Sequence, residues 1–139
     1  MTVSDLDLRV GTPLPMCEIH ITQALIDTYA ELSGDFNPLH VDVPAATASA
    51  FSGTIAHGCI PMEPVFQAIL RWTGTDALPS GTAIRLRYRA PSRPGDTIRS
   101  EAQVASVQTD GGRQFLTLSF ACLNQRGERV IDGECDLTP

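Results

Sequence analysis

Residues 58–72 read GCIPMEPVFQAILRW. Ile60, Met62, Val65, Phe66, Ile69, Leu70 and Trp72 fall around nearly the whole circumference of a helix, which predicts a buried helix rather than an amphipathic surface one. Pro61 and Pro64 would each cost about 3 kcal/mol in a helix interior. They are tolerable in a first turn, whose N–H groups have no intrahelical partner. Pro61 therefore places the helix start just after His57-Gly58, and Pro64 is expected to delay that start or bend the first turn.

A buried helix needs cover, and the C-terminal half supplies it. Ile84, Leu86 and Tyr88 alternate with Arg85, Arg87 and Arg89, the period of a strand with one wet face. PSRPGD (91–96) reads as a turn, Ile98 to Val107 as a strand and TDGG (109–112) as a second turn. Gln114 to Leu123 is apolar on both faces and so reads as a central strand; NQRGE (124–128) turns into Val130 to Leu137. A helical N-terminal half followed by a four-strand antiparallel meander predicts an α+β fold whose sheet wraps the helix.

The N-terminal half opens with a polar arm, Met1 to Thr12, and a short strand within Leu14 to Ile21. Thr22 is placed as an N-cap for a helix carrying Ala24, Leu25, Thr28, Tyr29 and Leu32, and Gly34 suits the left-handed position after its end. Pro44 fits the first turn of a short alanine-rich helix between Val43 and Phe51, broken by Ser52-Gly53.

Composition bounds the function. The 139 residues suit one domain, taken as 1–139. Ten Lys and Arg against sixteen Asp and Glu give a net charge of −6, which argues against broad nucleic-acid binding. Cys17, Cys59, Cys122 and Cys135 form no CxxC pair; they read as small buried hydrophobes in a reducing compartment rather than as a zinc site. No charged-then-apolar leader is present and no apolar run approaches the ~20 residues of a membrane span. A soluble, cytoplasmic protein with no membrane partner is expected.

Between the first two helices lies SGDFNPLHVD (33–42), with Asp35, Asn37 and His40 packed around Pro38. Asp35 alone reads equally well as a turn former, and His40 alone as an ordinary polar contact. Together they are a carboxylate and an imidazole able to share one water and carry its protons. Pro38 fixes a backbone angle between them, and Asn37 is read as holding the loop's shape. The second feature is IAHGCIPM (55–62). Gly58 at a helix N-terminus offers unpaired N–H groups and a favourable dipole to a carbonyl oxygen gaining charge, although a tight helix start explains the same residues. His57 is a further candidate, for packing or capping, whereas His20 reads as an ordinary strand residue. An α,β-unsaturated thioester would use all of these parts: water at its β-carbon, a donor on its carbonyl oxygen and a proton at its α-carbon.

YAELSGDFNPLHVD (29–42) closely resembles the hydratase-2 motif of MaoC-like (R)-specific enoyl-CoA hydratases, Y-x-x-x-S-G-D-x-N-P-x-H-x-D. IAHG (55–58) is similar to the family's second signature, and RLRYRAPSRPGDTI (85–98) to its later strand and Arg-Pro-Gly-Asp turn. The resemblance spans nearly the whole chain. It implies a hot-dog fold, a long central helix wrapped by an antiparallel sheet, usually paired as a dimer. It implies reversible syn addition of water to a trans-2-enoyl thioester to give the (R)-3-hydroxyacyl thioester. Asp35 and His40 then become the water-activating pair and Gly58 the backbone oxyanion donor. Asn37, with His57 and Cys59, falls to substrate binding or loop ordering. No metal or redox cofactor is implied; coenzyme A or an acyl-carrier protein belongs to the substrate. After Gly58 the chain departs from the family, with Cys59 and two prolines where many members continue Met-Leu-Thr.

Two other readings share the sequence. One is a 3-hydroxyacyl-carrier-protein dehydratase, with Arg85, Arg87, Arg89 and Arg93 meeting an acidic carrier or CoA phosphates. The other is a non-catalytic hot-dog module that binds acyl thioesters, disfavoured by the presence of both Asp35 and His40. A thioesterase on the same fold would announce itself by releasing free CoA thiol.

Overall fold

The computed structural model describes residues 8–139. Most of the expected polar arm, Met1 to Thr12, therefore lies outside the described residues. The described chain runs β1 (Glu18–His20), α1 (Gln23–Ser33), α2 (Pro38–Val41), α3 (Val43–Thr47), α4 (Cys59–Thr73), β2 (Ala83–Tyr88), β3 (Thr97–Asp110), β4 (Arg113–Leu123) and β5 (Arg129–Leu137). The strands form one antiparallel sheet in the order β1-β3-β4-β5-β2, with β4 at its centre as its two apolar faces predict. This α+β arrangement, a sheet against one long helix, is the hot-dog architecture.

The helix α4 fills the concave side. Ile60, Met62, Val65, Ala68, Ile69 and Trp72 are buried with Ile98 and Val104 of β3, Leu116, Leu118 and Phe120 of β4, and Ile131 of β5. Gly58 is its N-cap, as the sequence predicts. Pro64, however, neither delays nor ends it: the helix begins at Cys59 and continues through Pro64. The lost hydrogen bond costs on the order of 3 kcal/mol, and burial of the apolar residues on either side offsets it.

The expected four-strand meander needs correction. β3, β4 and β5 do follow one another as hairpins, the first closed by Gly111 and Gly112 at φ 58° and 80°, the left-handed pair that a two-residue hairpin turn requires. β2 does not pair with β3; it lies beyond β5, in the register Arg85↔Glu134 and Arg87↔Asp132. The segment 89–96 is thus a crossover rather than a hairpin. Its end is tied to Ile21, the residue after β1, with the Gly95 N–H donating to Ile21 O at 2.7 Å and the Ile21 N–H to Asp96 O at 2.8 Å. Side chains explain the pairing of β2. Arg85 forks onto Asp136 (2.7 and 3.2 Å) and Glu134 (3.1 Å), and Arg89 onto Asp132 (3.1 and 3.2 Å).

Three of the four cysteines behave as small core residues: Cys17, Cys122 and Cys135 are buried, and burial pushes Cys122 up to about 12 and Cys135 to about 11. Cys59 does not; it is exposed, as the first residue of α4. Among the described residues no helix is long and apolar enough to cross a membrane.

Candidate active site

The loop after α1 is built from short side-chain-to-backbone hydrogen bonds. Thr22 caps the helix through Oγ1, which accepts from the Leu25 N–H at 3.0 Å. Gly34 ends it at φ 77°, its N–H donating to Ala30 O. Ser33 Oγ then accepts from the Asp35 N–H (3.2 Å), Asp35 Oδ1 from the Asn37 N–H (3.2 Å) and Asn37 Oδ1 from the Leu39 N–H (3.0 Å). Each link is a local turn that Ser, Asp and Asn form readily. The sequence predicts a plain turn at Asn37-Pro38; the structure folds it into the one-turn helix α2, with Asn37 as N-cap and Pro38 in its first turn. Asp42 ends α2 and caps α3, accepting from the Ala45 N–H at 3.0 Å.

This winding turns His40 back toward Asp35. His40 Nδ1 lies 2.8 Å from Ile55 O. A carbonyl only accepts, so Nδ1 carries the proton and Nε2 presents a lone pair when the ring is neutral. Nε2 is 3.8 Å from Asp35 Oδ2, with the imidazole largely covered (14% exposed) and the carboxylate open (52%). That separation is too long for a direct hydrogen bond but suits one water bonded to both groups at about 2.8 Å each. Asp35 Oδ1 is held by Asn37, which leaves Oδ2 for that water.

His57 braces the pair from below. It is 3% exposed, and its Nε2 donates to the Asp35 carbonyl at 2.9 Å. Its ring stacks on His40 at 3.9 Å between centroids and meets Tyr29 at 4.7 Å on a tilt. Its Nδ1 is buried without a partner. Gln23 is a positioning residue that sequence reasoning missed: its Nε2 donates to His40 O (2.8 Å) while its Oε1 accepts from Thr54 (2.7 Å). Its position one residue after the N-cap was the only signal. His20 lies apart on β1, exposed, 3.0 Å from Thr97 Oγ1, as its ordinary reading predicts.

His40 and Gly58 line one cavity of ≈ 410 Å³, mostly apolar, together with Pro61, Tyr88, Ala90 and Ser92. Asp35 and Asn37 are not among its lining residues; Asp35 is linked to it through His40, 3.8 Å away. Cys59 lies outside its lining; hydrogen bonding to its thiol, then burial, raises the Tyr29 pKa. Among the described residues no carbonyl accepts from the Gly58 N–H. A larger groove, ≈ 580 Å³, crosses the outer face of β3 and β4, but it carries no histidine or cysteine and is a surface feature. Asp35, His40 and His57 each offer one metal-ligating atom within 4.8 Å of the others, the one such group among the described residues. Their stacked imidazoles each already commit one N–H to a carbonyl, an arrangement that serves a bridging water equally well.

The sequence matches the MaoC like domain over residues 8–117. An (R)-specific enoyl-CoA hydratase of Rhodospirillum rubrum is 34% identical over 132 residues, covering 92% of this chain and 85% of that protein. A mitochondrial 3-hydroxyacyl-[acyl-carrier-protein] dehydratase of Arabidopsis thaliana is 29% identical, covering 91% of this chain and 75% of that one. Among solved structures, an (R)-hydratase from A. caviae involved in PHA biosynthesis superposes with a TM-score of 0.80 at 26% identity, over 96% of this chain and 98% of that one.

Proposed function

The chain belongs to the MaoC-like family, and from that premise we propose that it is a hydro-lyase that adds water reversibly to a trans-2-enoyl thioester, giving the (R)-3-hydroxyacyl thioester. The observation that carries this reading is the 3.8 Å gap between Asp35 Oδ2 and His40 Nε2, with His40 lining the same cavity as Gly58.

The chemistry follows from the protonation states. Asp35 orients the water, and the His40 Nε2 lone pair takes one of its protons as the oxygen bonds to the β-carbon. The C–C π electrons move toward the thioester carbonyl, whose oxygen accepts from the Gly58 N–H as it gains charge. The imidazolium, stabilised by the Asp35 carboxylate and still held at Nδ1 by Ile55 O, returns its proton to the α-carbon from the same side. Water and alkene are consumed in equal number and nothing is oxidised, so the step calls for no redox cofactor; the carrier enters only as part of the substrate. We also infer a homodimer, since β2 ends the sheet with one backbone edge unpaired among the described residues.

The carrier-protein alternative leans on the arginine strand. Arg85 and Arg89 are already paired with acids of β5, which leaves Arg87 and Arg93 as the candidates for a phosphate or an acidic carrier. That weakens an extended basic patch, whichever carrier it was to meet.

The test is turnover of crotonyl-CoA and of longer and ring-bearing enoyl-CoAs, with product chirality read by an (R)-specific dehydrogenase. Hydration to the (R) product, by a particle that sediments as a dimer, is expected. An (S) product, or inertness toward every thioester, overturns the reading.

A further inference from the structure

Gly58 has φ −58° and ψ −30°, ordinary helical angles open to any residue. Its glycine is therefore not demanded by the backbone. Space demands it: a Cβ at this position would overlap Tyr88 Oη and lie 2.6 Å from Cζ and 3.0 Å from Cε1. The tip of the Tyr88 phenol thus rests against Gly58, in the cavity that both residues line. Tyr88 shares its strand alternation with Ile84 and Leu86, where a phenyl ring would pack as well, yet it brings a hydroxyl to the cavity that His40 and Gly58 line. That hydroxyl has no hydrogen-bond partner among the described residues.

We propose that the Tyr88 hydroxyl is a second donor to the thioester oxygen, working beside the Gly58 N–H. This rests on the hydration reading of the same site. A carbonyl oxygen has two lone pairs, and one backbone N–H satisfies only one as charge accumulates. The phenol approaches from β2 and the N–H from α4, so two rigid elements deliver the donors without a loop closing. A second polar group belongs to the same cavity: Ser92 lines it, is 3% exposed, and its Oγ is buried without a protein partner among the described residues. Burial of the phenol end, with the Cys59 and Cys122 thiols nearby, holds the Tyr88 pKa above that of an ordinary tyrosine. Tyr88 therefore stays protonated, and a donor, throughout the range in which a carboxylate and an imidazole do their work.

The experiment compares the full-length protein with Tyr88→Phe, which keeps the ring over Gly58 and removes only the hydroxyl. With crotonyl-CoA, kcat is expected to fall by roughly 10- to 100-fold and KM to change little. The upper end approaches the ~10²–10³ of an enclosed oxyanion donor; Tyr88 as a whole residue is 57% exposed, so its site is only partly enclosed and the loss is moderated. Wild-type activity is also expected to decline at a pH above the raised tyrosine pKa, with that limb absent in Tyr88→Phe. Unchanged kcat in Tyr88→Phe overturns the proposal. So does Tyr88→Ala raising kcat/KM while Tyr88→Phe matches wild type, which would make the ring a gate. Either result leaves wild-type hydration intact, whereas an inert wild type removes the hydration reading and this proposal with it.

Discussion

The loop from Gly34 to Asp42 and the strand β2 are both exposed and both rich in charge, yet they use it in opposite ways. On β2 the arginines are satisfied: Arg85 and Arg89 hold three carboxylates of β5 at hydrogen-bonding distance. In the loop the backbone is satisfied and the reactive atoms are not. Asp35 Oδ2 and His40 Nε2 are held 3.8 Å apart, each tethered through its other polar atom. Paired charge fixes which strands meet. Poised, unpaired lone pairs are what a water-handling site requires. The comparison teaches that charge density alone distinguishes nothing; what matters is whether each polar atom already has its partner.

Substitutions can break that contrast, and the largest effect is expected in the loop. Asp35→Asn and His40→Ala should each lower kcat by about 10²–10⁴-fold, the span of general acid–base catalysis, with Tm close to wild type. The double variant should be little worse than either single one, because the two act as a unit. A large fall in Tm with proportionate loss of activity would return the loop to the structural class.

Asn37→Ala lies between the two classes. It removes the cap of α2 and frees the Leu39 N–H, so a stability loss of about 1 kcal/mol is expected, seen as a Tm lower by roughly 3 °C. Misplacement of His40 by a fraction of an ångström should also cut kcat about 10-fold. Activity lost without any change in Tm would instead place Asn37 on the substrate.

The smallest effect is expected on β2. Arg85, by hydrogen bonding, holds the Asp136 carboxyl below its usual range. A depressed carboxylate stabilises the fold above its unfolded pKa, about 3.9, and the contribution is lost as pH falls through the lower folded value. Arg85→Gln should therefore lower Tm slightly near pH 6, leave kcat on crotonyl-CoA unchanged, and merge with wild type as acid protonates Asp136. A gap in Tm that persists in acid, or that ignores added salt, would show that the arginine acts through packing instead.

Much of this was legible because it is local. Thr22, Gly34, Pro38 and Asp42 act on neighbours within a few residues, and their caps and turns follow from side-chain chemistry. The all-round apolar pattern of 58–72 announced the buried helix. The position of β2 was missed although a signal existed. Arg85, Arg87 and Arg89 repeat at the same period as Asp132, Glu134 and Asp136, and opposite charges facing across strands favour that pairing. Reading each strand alone, as one wet face, hid the match. Cys59 was misplaced because composition does not say which way the first residue of a helix faces.

By itself, then, the sequence determined the parts: a helix destined for the interior, strands to cover it, and a capped loop holding an acid, an amide and an imidazole. Those depend on short-range forces that the chain carries wherever it goes. Only the tertiary structure decided the site. It set the tautomer of His40 through Ile55 O, the stacking of His57 beneath it, and the meeting of Tyr88 with Gly58 across thirty residues of chain. Such contacts arise when distant elements pack on a shared core, and no spacing along the chain encodes a distance across it.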